Sequence, residues 1–264
     1  MNSKMKGAPV RLSDATFIVT GATSGLGAAV TDRLIAEGAF VVGADINIAS
    51  AAEVEARHPG KVKFIKTDVT SEEDARATIA LAKSEFRGLR GLVNCAGIAP
   101  GEKLVGRKGA HALESFIRTV SINLVGTFNM MRLAAEAMQE EEPDETGDRG
   151  IIVNTASIAA YDGQIGQAAY AASKGGVVSL TLPAARELAK SKIRVMTIAP
   201  GVFETPMMAG MGQQVQDALG ATVPHPARLG RPSEFAILVC AIARNQYLNG
   251  EVIRLDGALR MAAS

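Results

Sequence analysis

Short runs of β-branched and aliphatic residues alternate along this chain with longer stretches in which apolar positions recur every three or four residues. The short runs fall at 16–20, 40–44, 62–66, 91–94, 151–155, 194–198 and 252–255, and each predicts a strand. The longer stretches at 26–37, 71–86, 113–139, 170–189 and 233–243 predict helices, and 46–56 offers one more. Strands that alternate with helices predict parallel pairing through right-handed crossovers. Ile151-Ile152-Val153 is apolar at successive positions, as a strand covered on both faces requires. No composition shift or linker divides the chain. The expectation is an α/β fold with one domain over 1–264, a doubly wound parallel sheet with helices on both faces.

Three stretches interrupt the rhythm. Residues 100–110 form a Gly- and Lys-rich loop after the fourth strand, and 140–150 are acidic and turn-rich, which predicts a loop projecting into solvent. Residues 201–226 carry Gly, Met and Pro over a length uncommon for a structureless loop, which predicts a lid over a site.

Composition narrows the function classes. The 28 basic and 27 acidic residues leave a net charge of +1, so nothing favours a nucleic-acid or membrane-surface partner. The two cysteines, Cys95 and Cys240, stand far apart and make neither a metal pattern nor a disulfide framework. They suit a reducing, cytoplasmic setting, and no metal is expected. Met1-Asn2-Ser3-Lys4-Met5-Lys6-Gly7 lacks the apolar core of a secretory signal, and no apolar run spans a bilayer.

Thr20-Gly21-Ala22-Thr23-Ser24-Gly25-Leu26-Gly27 follows the first strand and opens the first helix. Glycines there permit a tight turn and a close backbone approach to a pyrophosphate, and the helix start offers N–H groups to that anion. Alone, the run reads equally as a structural strand–helix turn. Asp45 closes the second strand, where a carboxylate can accept from both hydroxyls of an adenine ribose and repel a 2′-phosphate. That combination points to NAD rather than NADP. The alternative for Asp45 is a cap on the helix predicted over 46–56.

With these residues in place, the chain resembles the short-chain dehydrogenase/reductase family. The resemblance rests on Thr-Gly-x3-Gly-x-Gly, Asp68-Val69, Asn94-Cys95-Ala96-Gly97, Asn123, Ser157, Tyr170-x3-Lys174 and Pro200-Gly201, in that order and spacing. It covers about Arg11 to Met261 and implies a Rossmann-type dinucleotide-binding fold. It also implies that Gly21, Ser24, Gly25, Leu26 and Gly27 cradle the cofactor and that Asp68 and Val69 contact its adenine. The turn Asn94, Cys95, Ala96, Gly97 would pass beneath it, with Asn94 tying neighbouring strands. Tyr170, Lys174, Pro200, Phe203 and Thr205 would meet the nicotinamide end.

The chemistry implied is oxidation of an alcohol, which removes a hydroxyl proton as hydride leaves carbon. Tyrosine ionises near pH 10 and is a poor base until a cation stabilises its phenolate. Tyr170 and Lys174, four apart, share one face of a helix. By themselves they read as an ordinary exposed pair; in this company they imply a reaction centre. Ser157 would hydrogen-bond the substrate oxygen, and Asn123 would hold a water linking Lys174 to solvent. Cys95 reads as a small buried residue rather than a nucleophile.

Within the family the resemblance is strongest to the type II 3-hydroxyacyl-CoA dehydrogenases, through 121–129, 154–174, 194–206 and above all 248–261. It implies reversible conversion of 3-hydroxyacyl-CoA to 3-oxoacyl-CoA. Lys103, Arg107 and Lys108 are candidates for CoA phosphates, Gln164 for the thioester carbonyl, and Met207, Met208 and Met211 for the acyl chain. Glu204 departs from the small residue many relatives carry. Three alternatives stay open: a 3-oxoacyl-carrier-protein reductase, a hydroxysteroid or secondary-alcohol dehydrogenase, and a non-catalytic dinucleotide sensor. Family resemblance also implies a homotetramer paired through the helices at 113–139 and 170–189.

Overall fold

The computed structural model describes residues 12–107, 109–210 and 212–263, apart from the side chains of Met207 and Ala209. Met1–Gly7, Arg11, Lys108 and Met211 lie outside the described residues, as does the Met207 side chain. Seven strands build one parallel sheet: β1 (Thr16–Thr20), β2 (Phe40–Asp45), β3 (Val62–Lys66), β4 (Gly91–Asn94), β7 (Gly150–Thr155), β8 (Ile193–Pro200) and β9 (Val252–Leu255). Their order is β3-β2-β1-β4-β7-β8-β9. A small antiparallel hairpin, β5 (Val105–Gly106) with β6 (Gly109–Ala110), sits in the 100–110 loop.

Successive strand residues feed opposite cores, as period-two alternation requires. Val19, Val41, Val93, Val153 and Met196 pack on one face with Val30 and Leu34 of α1 (Gly25–Ala36) and Phe235 and Val239 of α9 (Pro232–Arg244). Their neighbours Ile18, Val42, Leu92, Ile152 and Val195 pack on the other face. There they meet α3 (Glu72–Glu85), α5 (Gly126–Gln139) and α6 (Ala168–Leu188) through Ile79, Met130 and Ala184. The strand order reverses between β1 and β4. In open α/β sheets such a reversal opens a crevice at the carboxyl ends of the strands.

Four expectations are corrected. The helix predicted over 113–139 is two helices, α4 (Leu113–Val120) and α5, joined by a π-helical turn, Ser121–Val125. The helix predicted over 46–56 begins only at α2 (Ala51–Arg57), because Asp45 and Asn47 accept from the N–H groups of Asn47 and Ala49 and hold an irregular turn. The 140–150 loop does not project into solvent. Asp148 pairs with the buried Arg194 at 2.8 Å, and Arg194 also donates to the carbonyls of Ile242, Ala243, Asn245 and Leu248. The stretch 201–226 is not a structureless loop, since it contains two short helices, α7 (Pro206–Ala209) and α8 (Gln213–Ala221).

Candidate active site

The crevice begins at the glycine turn. Gly21 has φ +65°, and a Cβ there would come within 3.0 Å of the Ala96 N, so only glycine lets the loop close on β4. At Gly27 a Cβ would stand 2.1 Å from the Gly21 O, which fixes how closely α1 follows the turn. Thr20 Oγ1 accepts from the N–H groups of Cys95 and Ala96 at 3.1 Å, binding the two strand ends together. No side chain caps α1, Ser24 included, and its first turn holds no acidic residue. Those amides are donors for an anion, so the cradle fits a dinucleotide pyrophosphate. Leu26 is partly buried against the core.

Asp45 stands at the end of β2. Its Oδ2 accepts from Thr23 N at 3.1 Å and Thr23 Oγ1 at 2.7 Å, and its Oδ1 from Asn47 N. It therefore does not cap a helix. The sheet register sets Lys66 beside it, a cation that sequence neighbours do not reveal. Asp68 Oδ1 accepts from Thr70 N and Thr70 Oγ1, and Val69 is buried against Gly126 while Asn129 donates to its carbonyl. Asn94 joins β4 to β7 through a 2.9 Å bond from its Nδ2 to Asn154 Oδ1.

The polar side chains of the centre come from three segments. Ser157 follows β7 and is 8% exposed; its Oγ accepts from Ala159 N and starts a single 3₁₀ turn, Ile158–Ala160. Tyr170 and Lys174 lie on α6, with Lys174 Nζ 5.8 Å from the Tyr170 ring centroid. Lys174 is 4% exposed and donates to Thr155 O at 2.8 Å. Burial lowers its pKa to about 8, opposed by the nearby Cys95.

Burial raises Tyr170 above the usual phenol value, and a hydrogen bond with Ser157 opposes that rise. In the protein alone, desolvation is the dominant influence on the phenol. Cys95 is pushed up to about 12 by burial, with Thr155 Oγ1 3.7 Å from its Sγ, which makes it an inert thiol.

Asn123 is fully buried in the π-helical turn. Its Oδ1 accepts from Ile98 N, and its Nδ2 donates to Ile98 O and Ser173 Oγ. Both amide N–H groups are thus occupied, and the side chain clasps the turn after β4 to α6. Gly97 lies within this clasp: a Cβ there would approach Asn123 Oδ1 to 3.0 Å and Lys174 Nζ to 3.5 Å. A cleft of about 610 Å³ opens beside it, lined by 97–100 and by Ala112, Ser115, Arg118 and Thr119 of the α4 region.

On the far side, Pro200 ends β8 and Gly201 donates to Leu255 O. Thr205 and Pro206 stand at the start of α7 and lie against Gly25, where a Cβ would meet them at 3.5 and 3.3 Å. The Phe203 ring is buried edge-on to Phe235 in the core, so that residue faces the crevice with backbone only. Gln164 donates to Ala262 O at 3.1 Å and accepts from Gln167, so its amide is turned to the 259–263 segment, not poised for a carbonyl. Lys103, Arg107 and Glu204 are exposed. Met208 is half-buried. Thr23 and Thr155 belong to the site but carry no signal in the sequence.

Among the described residues no cluster of His, Cys, Asp or Glu could hold a metal ion, and no helix is long and apolar enough to cross a membrane. The family described as short chain dehydrogenase matches residues 15–216. The chain is 52% identical over 247 residues to the human 3-hydroxyacyl-CoA dehydrogenase type-2, covering 92% of this chain and 94% of that one. It is 52% identical over 252 residues to the Drosophila melanogaster 3-hydroxyacyl-CoA dehydrogenase type-2, covering 95% and 99%. The crystal structure of the 3-hydroxyacyl-CoA dehydrogenase type-2 from Mycobacterium avium superposes with a TM-score of 0.91 at 42% identity, covering 95% of this chain and 98% of that one.

Proposed function

The chain belongs to the short-chain dehydrogenase family, and on that premise we propose that it interconverts 3-hydroxyacyl-CoA and 3-oxoacyl-CoA with NAD. Family membership makes it an oxidoreductase that works with a nicotinamide dinucleotide. What supports the acid–base reading above all is the half-buried Tyr170, one helical turn before the buried Lys174, whose ammonium lies 5.8 Å from its ring centroid.

When bound, the dinucleotide accepts hydride from the hydroxyl-bearing carbon or returns it. Ser157 Oγ orients the substrate oxygen. Tyr170, protonated at neutral pH as an ordinary phenol is, donates its phenolic proton to that oxygen as reduction makes it an alkoxide. In the oxidative direction the phenolate takes the proton back, stabilised by Lys174. Lys174 is held by Thr155 O, and Asn123 keeps α6 and the Gly97 turn at fixed separation.

Asp45 supports NAD over NADP by repelling a 2′-phosphate, with Lys66 beside it in the sheet register as an opposing charge. The 201–226 stretch acts as the substrate lid of a single catalytic domain. The free thiols Cys95 and Cys240 suit a cytoplasmic location, which a tagged protein found in another compartment would overturn. Exposed Leu113 and Ile117 on α4, Phe128 on α5 and Leu182 on α6 support assembly as a homotetramer, and light scattering reading a monomer would remove that part.

The deciding experiment is initial rates of NADH oxidation with acetoacetyl-CoA, a 3-oxoacyl carrier-protein thioester and a ketosteroid, repeated with NADPH. NADH with the CoA ester is expected to be preferred. Preference for another substrate overturns the CoA assignment, and binding of NADH with no turnover of any would favour a sensor.

A further inference from the structure

Ser157 and Tyr170 are joined by a loop, 161–167, that contributes little to either core. Its shape is set from outside, by residues far along the chain. Arg254, on the edge strand β9, reaches Asp162 with Nη2 at 2.5 Å from Oδ2 and Nη1 at 3.4 Å from Oδ1. The guanidinium also lies 5.2 Å from the centroid of the neighbouring Tyr161 ring. Asp256 Oδ2 takes the Nε at 2.7 Å, and Leu259 O takes a second Nη2 proton at 3.0 Å. Asp256 is in turn held by Arg260. A planar fork with fixed donors matches this set of acceptors, and a lysine cannot reproduce it.

The same segment makes three further contacts with the neighbourhood of Ser157. Gln164 Nε2 donates to Ala262 O, and Ile165 N donates to Ala263 O at 2.9 Å. Leu259 and Met261 pack with Ile158, directly after Ser157, and with Val223 at the end of the lid. The other edge of the loop is held by Glu102 N donating to Gly166 O. Arg254 is thus the charged residue that ties the loop to β9 in a wall joining the substrate side of the centre to the 201–226 stretch, while the glycine cradle and Asp45 lie across the sheet beside β1 and β2.

We propose that Arg254 is a positioning residue that fixes the 161–167 loop against the 259–263 segment and so sets the affinity for substrate without touching the dinucleotide. This rests on Ser157 and Tyr170 being the reaction centre. A loosened loop lets the substrate oxygen wander from Ser157, a misplacement that raises KM for the thioester more than it lowers kcat.

The test compares Arg254→Lys and Asp162→Asn with the full-length wild type, each alone and combined. The readouts are KM and kcat for acetoacetyl-CoA, NADH affinity by fluorescence, and amide hydrogen exchange at Ile165 and Gly166. Arg254→Lys is expected to raise KM about tenfold, to leave NADH affinity within about twofold, and to speed exchange at Ile165. The double variant should be no worse than the worse single one, as for two halves of one contact. Unchanged KM with unchanged exchange overturns the proposal, and so does a parallel loss of NADH affinity, which would mark general unfolding. A wild type that turns over no thioester sinks the functional reading instead, and exchange at Ile165 still decides whether Arg254 holds the loop.

Discussion

Replacing Lys174 with methionine should destroy activity and make the cofactor-free protein more stable. The ammonium is 4% exposed, and its pKa falls from 10.5 to about 8 because burial disfavours the charge. At about 1.4 kcal/mol per unit, carrying that charge at neutral pH costs the fold about 3 kcal/mol. Methionine of similar length removes the charge but leaves Thr155 O without its donor, a loss of about 1 kcal/mol. The net gain is about 2 kcal/mol, or roughly 4–8 °C in melting midpoint for a chain of this size. The sign fixes the pH window. The folded pKa lies below the unfolded one, so the native state holds fewer protons between them. The charge cost is full below about pH 8 and vanishes above about pH 10.5. Thermal melts of Lys174→Met and wild type at about pH 7 and pH 10 should therefore show a gap at the lower pH that narrows at the higher. A variant less stable at neutral pH, or a gap independent of pH, refutes the reasoning.

Two other perturbations separate the site from the scaffold. Asp45→Asn should raise kcat/KM with NADPH by about tenfold while lowering that with NADH only a few-fold, measured as the ratio of the two rates; an unchanged ratio removes the charge argument. Arg194→Ala strips the buried partner from the partly exposed Asp148 and takes a donor from four carbonyls, so it should cost about 3 kcal/mol in denaturant unfolding while KM for NADH holds in whatever protein stays folded. A loss below about 1 kcal/mol would show that the 140–150 loop is held by something else.

What could be read from the residues was what is local. Ile18 and Val19, or Ile152 and Val153, announce strands covered on two faces, and the glycine turn, Asp45 and Tyr170-x3-Lys174 are each contiguous or four apart. The break in the helix after Val120 escaped because 121–125, Ser-Ile-Asn-Leu-Val, carries no proline or glycine to mark it. Its reason is tertiary: Asn123 is drawn to Ile98 and Ser173, which only the fold brings near. The packing of 140–150 depends on Arg194, and the loop before Tyr170 depends on Arg254, partners tens of residues away. Tyr170's raised pKa is likewise a property of burial, which spacing does not report.

The bond between Thr23 and Asp45 has a consequence for what selectivity means here. The carboxylate already holds a hydroxyl and an amide of the glycine turn before any ribose arrives. An incoming sugar finds room on Oδ1, which accepts only from Asn47 N, but must exchange or share the bonds on Oδ2, and an exchange of like for like yields little net affinity. The negative charge, by contrast, confronts a phosphate whether or not the exchange takes place, offset by Lys66 beside it in the register. In the proposed NAD reading Asp45 is therefore a filter more than an anchor, and the grip is left to the backbone of the turn.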